Sequence, residues 1–280
     1  MNDDILKPGR VAVITGAGAG IGAAAARHFS SLGMRLYLFD RDASALEEVA
    51  RDLDRPNGIR TLVGDVTSID DLTALRDGAY DSFGEVALLM NNAGISAGAS
   101  PWDNLTGWRQ QLEVNFLSIV TAQSLFIPRM IAQGSRSAIV NLGSKEGITT
   151  PPGDTAYSVS KAGVKVLTEQ LAHELREQVG DRITAHLFVP GYTWTPMNAS
   201  HRAPGSEKPD EAWTAGQLLT YFEGRFRHGD FYILCPDNAV TPELDARRIL
   251  WAAGDIVEGR PALSRWHPDW KDRFAAYVRS

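Results

Sequence analysis

The stretch Val11-Ala12-Val13-Ile14-Thr15-Gly16-Ala17-Gly18-Ala19-Gly20-Ile21-Gly22 decides the fold. An apolar, mostly β-branched run passes directly into a glycine-rich turn, and helical spacing begins at Ile21. Glycines admit positive φ and allow the backbone to approach a pyrophosphate closely. The first N–H groups of the following helix and the positive end of its dipole face that anion. A plain tight turn is the alternative reading. No Gly-Lys-Ser/Thr follows the turn, so a nucleotide-triphosphate loop finds no support.

Outward from this unit the pattern repeats. Apolar runs fall at 11–14, 36–39, 61–63, 86–90, 138–142 and 183–189, and segments with helical spacing fall between them at 21–32, 43–53, 69–82, 105–131 and 157–179. Alternation of this kind predicts parallel strands with crossover helices on both sheet faces, and strands that are continuously apolar fit burial on both sides. The reading is one α/β domain over residues 1–280, a doubly wound parallel Rossmann-like sheet. It carries a helical substrate lid at about 192–228 and a C-terminal extension at about 236–280. In that last third, 198–210 reads as a loop containing Pro204, Gly205 and Pro209, with helices expected at 211–226 and 242–253 and a short strand at 231–234.

Composition narrows the function. The formal charge of −6 argues against a nucleic-acid surface, which needs clustered Lys and Arg. No run near eighteen uninterrupted apolar residues occurs, so no membrane span is expected. The acidic start Met1-Asn2-Asp3-Asp4 lacks the pattern of a secretory signal. The single cysteine, Cys235, lies in an apolar run and reads as an inert buried thiol, consistent with a reducing cytoplasm. His28, His173, His186, His201, His228 and His267 have no metal-ligand spacing, and no metal is expected.

Two further features carry chemistry. Asp40 stands twenty-four residues after Gly16 at the end of the second strand, where a carboxylate accepts hydrogen bonds from adenosine ribose hydroxyls and repels a 2′-phosphate. That favours NAD over NADP; Arg41 beside it argues the other way. Tyr157 and Lys161 are spaced i, i+4 and share one helix face. An ammonium beside a phenol favours the phenolate and would make a proton acceptor of a group that ordinarily titrates near pH ~10. A surface helix with snorkelling side chains is the plain alternative.

With these motifs in view, the chain resembles the short-chain dehydrogenase/reductase family over roughly residues 8–197. The motifs run in order: Thr15-Gly16-x-x-x-Gly20-Ile21-Gly22, Asp65-Val66, Asn91-Asn92-Ala93-Gly94, Asn115, Ser144, Tyr157-x-x-x-Lys161 and Pro190-Gly191. The resemblance implies an oxidoreductase that moves a hydride between NAD and a secondary alcohol or ketone. It implies that Tyr157 is the acid/base and that Lys161 lowers its pKa and binds the nicotinamide ribose. Ser144 would orient the substrate oxygen, and Asn115 would help hold a water in a proton relay. For the cofactor, it implies contacts from Gly16, Gly18, Gly20, Ile21 and Gly22, from Asp40 and Arg41, and from Asp65 and Val66 at the adenine. Asn92, Ala93 and Gly94 would line the cleft, with Pro190 and Gly191 leading to Thr193 and Thr195, either of which could hold the carboxamide. A homo-oligomer, dimer or tetramer, follows from the family alone.

Two departures stand out. Gly143 occupies a position before Ser144 that is often Ser in the family, and the chain lacks the Val-Asp-Gly-Gly ending of many members. The region after Thr195 holds Trp194, Met197, Trp213, Leu218, Leu219, Tyr221 and Phe222 at or near it. It is read either as the wall of a pocket for a hydrophobic or aromatic alcohol, with Trp194 as a substrate contact, or as packing of the lid onto the body. The tail Trp266-His267-Pro268-Asp269-Trp270 reads as an oligomer contact or flap, or as packing on its own subunit. Competing functions are an NADPH-dependent ketone reductase and a non-catalytic dinucleotide sensor; the presence of Asn115, Ser144, Tyr157 and Lys161 together argues against the sensor.

Overall fold

Seven parallel strands lie side by side in the computed structural model, which describes residues 2–53, 58–199 and 205–279. They are β1 (Val11–Thr15), β2 (Arg35–Asp40), β3 (Ile59–Val63), β4 (Leu88–Asn91), β5 (Ser137–Leu142), β6 (Ile183–Val189) and β9 (Tyr232–Leu234). Two short strands, β7 (Thr193–Trp194) and β8 (Trp213–Thr214), pair separately. The main sheet has the order β3-β2-β1-β4-β5-β6-β9, so all six apolar runs and the 231–234 strand take the places their patterning predicts. His201 and Pro204 of the expected loop lie outside the described residues.

The pleat divides the core into two layers. Side chains of successive strand residues alternate between faces, so Ile14, Leu88, Met90 and Val140 join the cluster under α1 (Gly20–Ser31) and α2 (Ala43–Asp52). Val13, Leu89 and Ile139 face the other way, toward α3 (Ile69–Phe83) and the long helix that follows β4. The predicted helix over 105–131 is in fact α4 (Leu105–Leu112), a π-helical turn at Glu113–Leu117, and α5 (Ser118–Gln133), continuous over Leu105–Gln133. That run is long and apolar enough by length and composition to cross a membrane, although Arg109, Glu113 and Arg129 interrupt it. It packs here against α3 and the helix that carries Tyr157.

The last third departs most from expectation. Beyond the one-turn α6 (Glu146–Thr149), the long α7 (Thr155–Val179) and the short α8 (Pro196–Ala199) comes α9 (Ala215–His228), opened by a Thr214/Gln217 capping box. Leu218, Leu219, Phe222 and Phe226 are fully buried. The Phe222 ring lies 4.6 Å from Phe188, 5.3 Å from Phe226 and 6.3 Å from Phe29. These residues therefore pack onto the body, so the packing alternative holds for α9. After β9, α10 (Pro242–Val257) and α11 (Lys271–Tyr277) enclose Trp251, whose ring meets Trp270, Phe274 and Tyr277 at 5.1–6.4 Å. Trp270 thus packs on its own subunit. Cys235 is wholly buried, and burial pushes its thiol pKa up, as expected of an inert cysteine.

His186 on β6 fixes the N-terminus to this body. Its Nδ1 lies 2.7 Å from the Asp230 carbonyl, which can only accept, so Nδ1 carries the proton. Nε2 then accepts from the Asn2 amide at 3.0 Å and the Thr184 hydroxyl at 2.9 Å. Burial pushes the His186 pKa down from 6.5 to about 4. The unfolded chain takes up this proton below its ordinary pKa while the native state refuses it, so stability falls as pH drops from 6.5 toward 4. The predicted loss is about 3 kcal/mol across that window. Chemical denaturation of the wild type and His186→Gln at pH 7 and pH 4.5 checks it: the variant, less stable at pH 7, should show the shallower pH dependence.

Candidate active site

β1 and β4 are neighbours in the sheet although they are remote in sequence, and the order of strands reverses here, which opens a crevice at their carboxyl ends. The glycine-rich turn lies across it. Gly16 sits at φ +66° and Gly20 at φ +54°, and a Cβ on Gly16 would stand 2.8 Å from the Ala93 Cα. The buried Asn92 side chain holds the turn from the β4 side, its Nδ2 donating to the carbonyls of Thr15 at 2.9 Å and Gly16 at 3.0 Å. A Cβ on Gly22 would fall 2.0 Å from the Gly16 oxygen. Gly16, Ala19, Gly20 and Ile21 line the resulting cavity, whereas Gly18 and Gly22 shape the turn from behind and do not line it.

Asp40 closes the outer end. Its Oδ2 accepts from the Gly18 N–H at 2.8 Å and Oδ1 from the Asp42 N–H at 3.0 Å, so the carboxylate is fixed at the rim. Asp40 and Arg41 line both the main cavity of about 620 Å³ and an adjoining one of about 120 Å³. The smaller cavity is formed with Phe39, Asp65, Val66 and Gly94, while the Asp65 carboxylate itself accepts from Thr67. On the inner side the main cavity runs past Asn92, Ala93 and Gly94 to Ser144, Tyr157 and Lys161, and past Pro190, Gly191, Thr193 and Thr195. Gly191 is required there, because a Cβ would stand 2.4 Å from the Pro236 oxygen. Trp194 is half-buried in the β7–β8 ribbon and is not among the lining residues; Tyr192 and Met197 take that wall instead.

The inner end is formed by one helix and two strand ends. α7 carries Tyr157 and Lys161 on one face, with Lys161 Nζ 5.7 Å from the Tyr157 ring centroid. Lys161 is buried, and its Nζ donates to the Leu142 carbonyl at 2.8 Å, which ties the helix to the end of β5. Ser144 follows that strand end. Burial dominates both ionisable groups: it pushes Lys161 down to about 8, and with the Glu146 charge it pushes Tyr157 up to about 12, while a hydrogen bond with Ser144 works the other way. The depressed phenol expected from the Tyr–Lys spacing is therefore not produced by the protein groups alone. Desolvation of the phenolate outweighs the neighbouring amine.

Two polar groups brace this end. Asn115, wholly buried in the π-helical turn, accepts from the Ile95 N–H at 2.8 Å and donates to the Ile95 carbonyl at 2.9 Å and the Ser160 hydroxyl at 3.2 Å. Its carboxamide clamps the loop after β4 onto α7 and does not line the cavity. Asp154 caps α7 and gathers the loop opposite. It accepts from the Tyr157 and Ala99 amides at 3.2 and 3.1 Å, from Gln111 and Gly98 at 3.0 Å each, and from the Ser96 hydroxyl at 3.0 Å. Burial acts to raise the Asp154 pKa, and these hydrogen bonds outweigh it and hold the carboxyl below the usual range.

Residues 10–205 match the short chain dehydrogenase family. The chain belongs to the short-chain dehydrogenase/reductase family. Galactitol 2-dehydrogenase (L-tagatose-forming) of Cereibacter sphaeroides is 37% identical over 211 residues, covering 73% of this chain and 79% of the relative. Cis-4-hydroxycyclohexanecarboxylate dehydrogenase of Sinomonas cyclohexanicum is 38% identical over 194 residues, covering 68% and 76%. A short-chain dehydrogenase/reductase from Burkholderia phymatum, solved in complex with NAD, superimposes with a TM-score of 0.80 at 31% identity over 91% of this chain and 96% of that one. Membership makes the chain an oxidoreductase of the family that transfers hydride at CH–OH groups.

Sequence reading missed Asp154, Glu146 and the buried ladder in which Asn91 donates to Asn141 at 2.8 Å and Asn141 to Thr168 at 3.0 Å. Asp154 was visible in principle as an Asp three residues before Tyr157, a helix N-cap signature. Glu146 and the asparagine ladder are brought together only by the sheet. Asp154→Ala removes the cap and leaves buried donors without an acceptor, so it should destabilise the protein by about 1–3 kcal/mol. Urea unfolding at pH 7 measures this, and a change within 0.5 kcal/mol (roughly the effect of a neutral surface substitution) would contradict the bracing role.

Proposed function

We propose that this protein is an NAD-dependent dehydrogenase of secondary alcohols, with Tyr157 as acid/base, and that residues 1–280 work as one catalytic unit. The observation that carries the reading is the single cavity that runs from Asp40, past the glycine turn, to Ser144 and Tyr157. The residues fit a dinucleotide. A backbone cradle that tolerates no Cβ faces the pyrophosphate position, and a fixed carboxylate at the rim suits unphosphorylated ribose hydroxyls better than a 2′-phosphate. Arg41, exposed at the same rim, favours the NADP reading and is set against a carboxylate already fixed in place.

In this account Lys161 holds the nicotinamide ribose and Thr193 or Thr195 the carboxamide. The bound nicotinamide supplies the hydride acceptor and, when oxidised, a positive charge beside the phenol. That charge offsets the burial that otherwise keeps Tyr157 protonated. Ser144 orients the carbinol oxygen, and Tyr157 takes its proton during oxidation and returns it during reduction. Asn115 acts by fixing the Ile95 loop, and Lys161, held near neutrality, passes the proton outward. The apolar wall of Leu142, Tyr192, Met197 and Val240 suits a substrate with a hydrophobic body. Half-exposed Leu117, Val120, Val159 and Val166 on α5, its preceding turn and α7 support a homo-oligomer, dimer or tetramer.

Tyr157→Phe tests the acid/base role. With a panel of secondary alcohols such as cyclohexanol and NAD, kcat should fall about 10²-fold or more, while NADH binding, followed by nicotinamide fluorescence, persists. Retained turnover would refute the role. Glu146→Gln removes a negative neighbour that raises the phenol pKa. The acidic limb of kcat/KM for alcohol oxidation should therefore move to lower pH; an unchanged or upward shift would show that Glu146 does not act on the phenol.

A further inference from the structure

Arg248, on the second turn of α10, lines the main cavity together with Ser144 and Tyr157. It lies beyond residue 205, where the match to the family ends. Among the described residues it donates no hydrogen bond and forms no ion pair, and its Nε is buried with no partner. Arg136 and Arg260 also bury an Nε that makes no hydrogen bond, but Arg260 Nε ion-pairs with Asp255 at 3.2 Å while its Nη2 donates to the Trp251 carbonyl, and Arg136 makes contacts of its own. A guanidinium with an orphaned buried donor costs stability unless something completes it.

The nearby carboxylates are held chiefly by other groups, although the Arg248 charge also acts on Asp245 without a hydrogen bond or ion pair between them. Asp245 pairs with Lys145 at 2.5 Å. Asp237 accepts from the amides of Tyr192, Ala239 and Val240 at 2.8–3.0 Å and faces Lys145 at 3.7 Å. Glu146 lies on the Tyr157 side, where it acts on the phenol. Arg265 lines a small adjoining pocket that Lys145, Asp245 and Arg248 share, and it adds a further cation. Around this wall stand the cations Lys145, Arg248 and Arg265 and the carboxylates Asp237 and Asp245, with Glu146 lining the same cavity on the Tyr157 side.

We infer that Arg248 is the anion-recognition group of the substrate pocket and that the substrate is a secondary alcohol or ketone bearing a carboxylate. The planar guanidinium fork matches a carboxylate in two parallel hydrogen bonds, and a partly desolvated site strengthens them. The carboxylate would pair with the terminal guanidinium nitrogens of Arg248, while the carbinol end lies at Ser144 and Tyr157. The inference rests on the dehydrogenase reading of the same cavity.

The test uses the full chain saturated with NAD, which cannot reduce a ketone, titrated calorimetrically with 4-oxocyclohexanecarboxylate and with its methyl ester, in wild type, Arg248→Gln and Arg248→Lys. The acid should bind wild type about ten-fold or more tightly than the ester, as expected for a charge-assisted pair. Arg248→Gln should abolish that preference, Arg248→Lys should keep part of it, and all three should bind NADH alike, which also shows that they are folded. An ester that binds as well as the acid, a preference that survives in Arg248→Gln, or no saturable binding of the acid would each overturn the inference. Wild type that fails to bind NADH would overturn the dehydrogenase reading itself, a separable failure.

Discussion

The site depends on one close approach, that of the glycine turn after β1 to the backbone after β4. Only glycine fits at Gly16, because a Cβ would collide with the Ala93 Cα, and Asn92 bridges the gap by donating to two carbonyls of the turn. That approach places the first amides of α1 beside the loop that leads to Ile95. It makes the crevice narrow enough for backbone groups to line it. The Asp40 carboxylate fixes the other side of the turn through Gly18. Enlarging any of these small residues would push apart two strands that are adjacent in the sheet, which explains why glycine and asparagine recur where the sequence is otherwise apolar.

A second constraint is electrostatic. The inner end of the cavity is dry enough that burial governs both ionisable groups, raising the Tyr157 phenol to about 12 and lowering the Lys161 amine to about 8. The protein alone therefore favours the neutral phenol. A cation in the cavity would reverse the balance, so proton acceptance at Tyr157 is tied to a ligand that brings positive charge. The structural work around this pair is done by Asn115 on Ile95 and Asp154 on the start of α7, neither of which lines the cavity, and by the Leu142 carbonyl on Lys161.

Much of this was legible in the sequence, for reasons of period and spacing. The β strands are short and mostly apolar because helices cover both faces, and the glycine turn stands between a strand and a helix with no Gly-Lys-Ser/Thr after it. Tyr157 and Lys161 are one helical turn apart, so their shared face follows from geometry alone. The functions of α9 and α10 were not legible. Leu218, Phe222 and Phe226 have the spacing of any amphipathic helix, and only the sheet position of Phe188 shows that they are core. Trp194 looked like a pocket residue because of its type; its place in the β7–β8 ribbon depends on pairing with Trp213–Thr214, which leaves no local signal. Arg248 gave none either, since an arginine on a charged helix is ordinary until the cavity beside it is known.

The most direct test of the account is to titrate the purified protein with NADH and NADPH in parallel and follow nicotinamide fluorescence. The geometry of Asp40 at the rim of the glycine turn predicts saturable binding of NADH and clearly weaker binding of NADPH. Tighter binding of NADPH would mean that Arg41 rather than Asp40 governs the ribose end, and binding of neither would contradict the dinucleotide reading of the cavity.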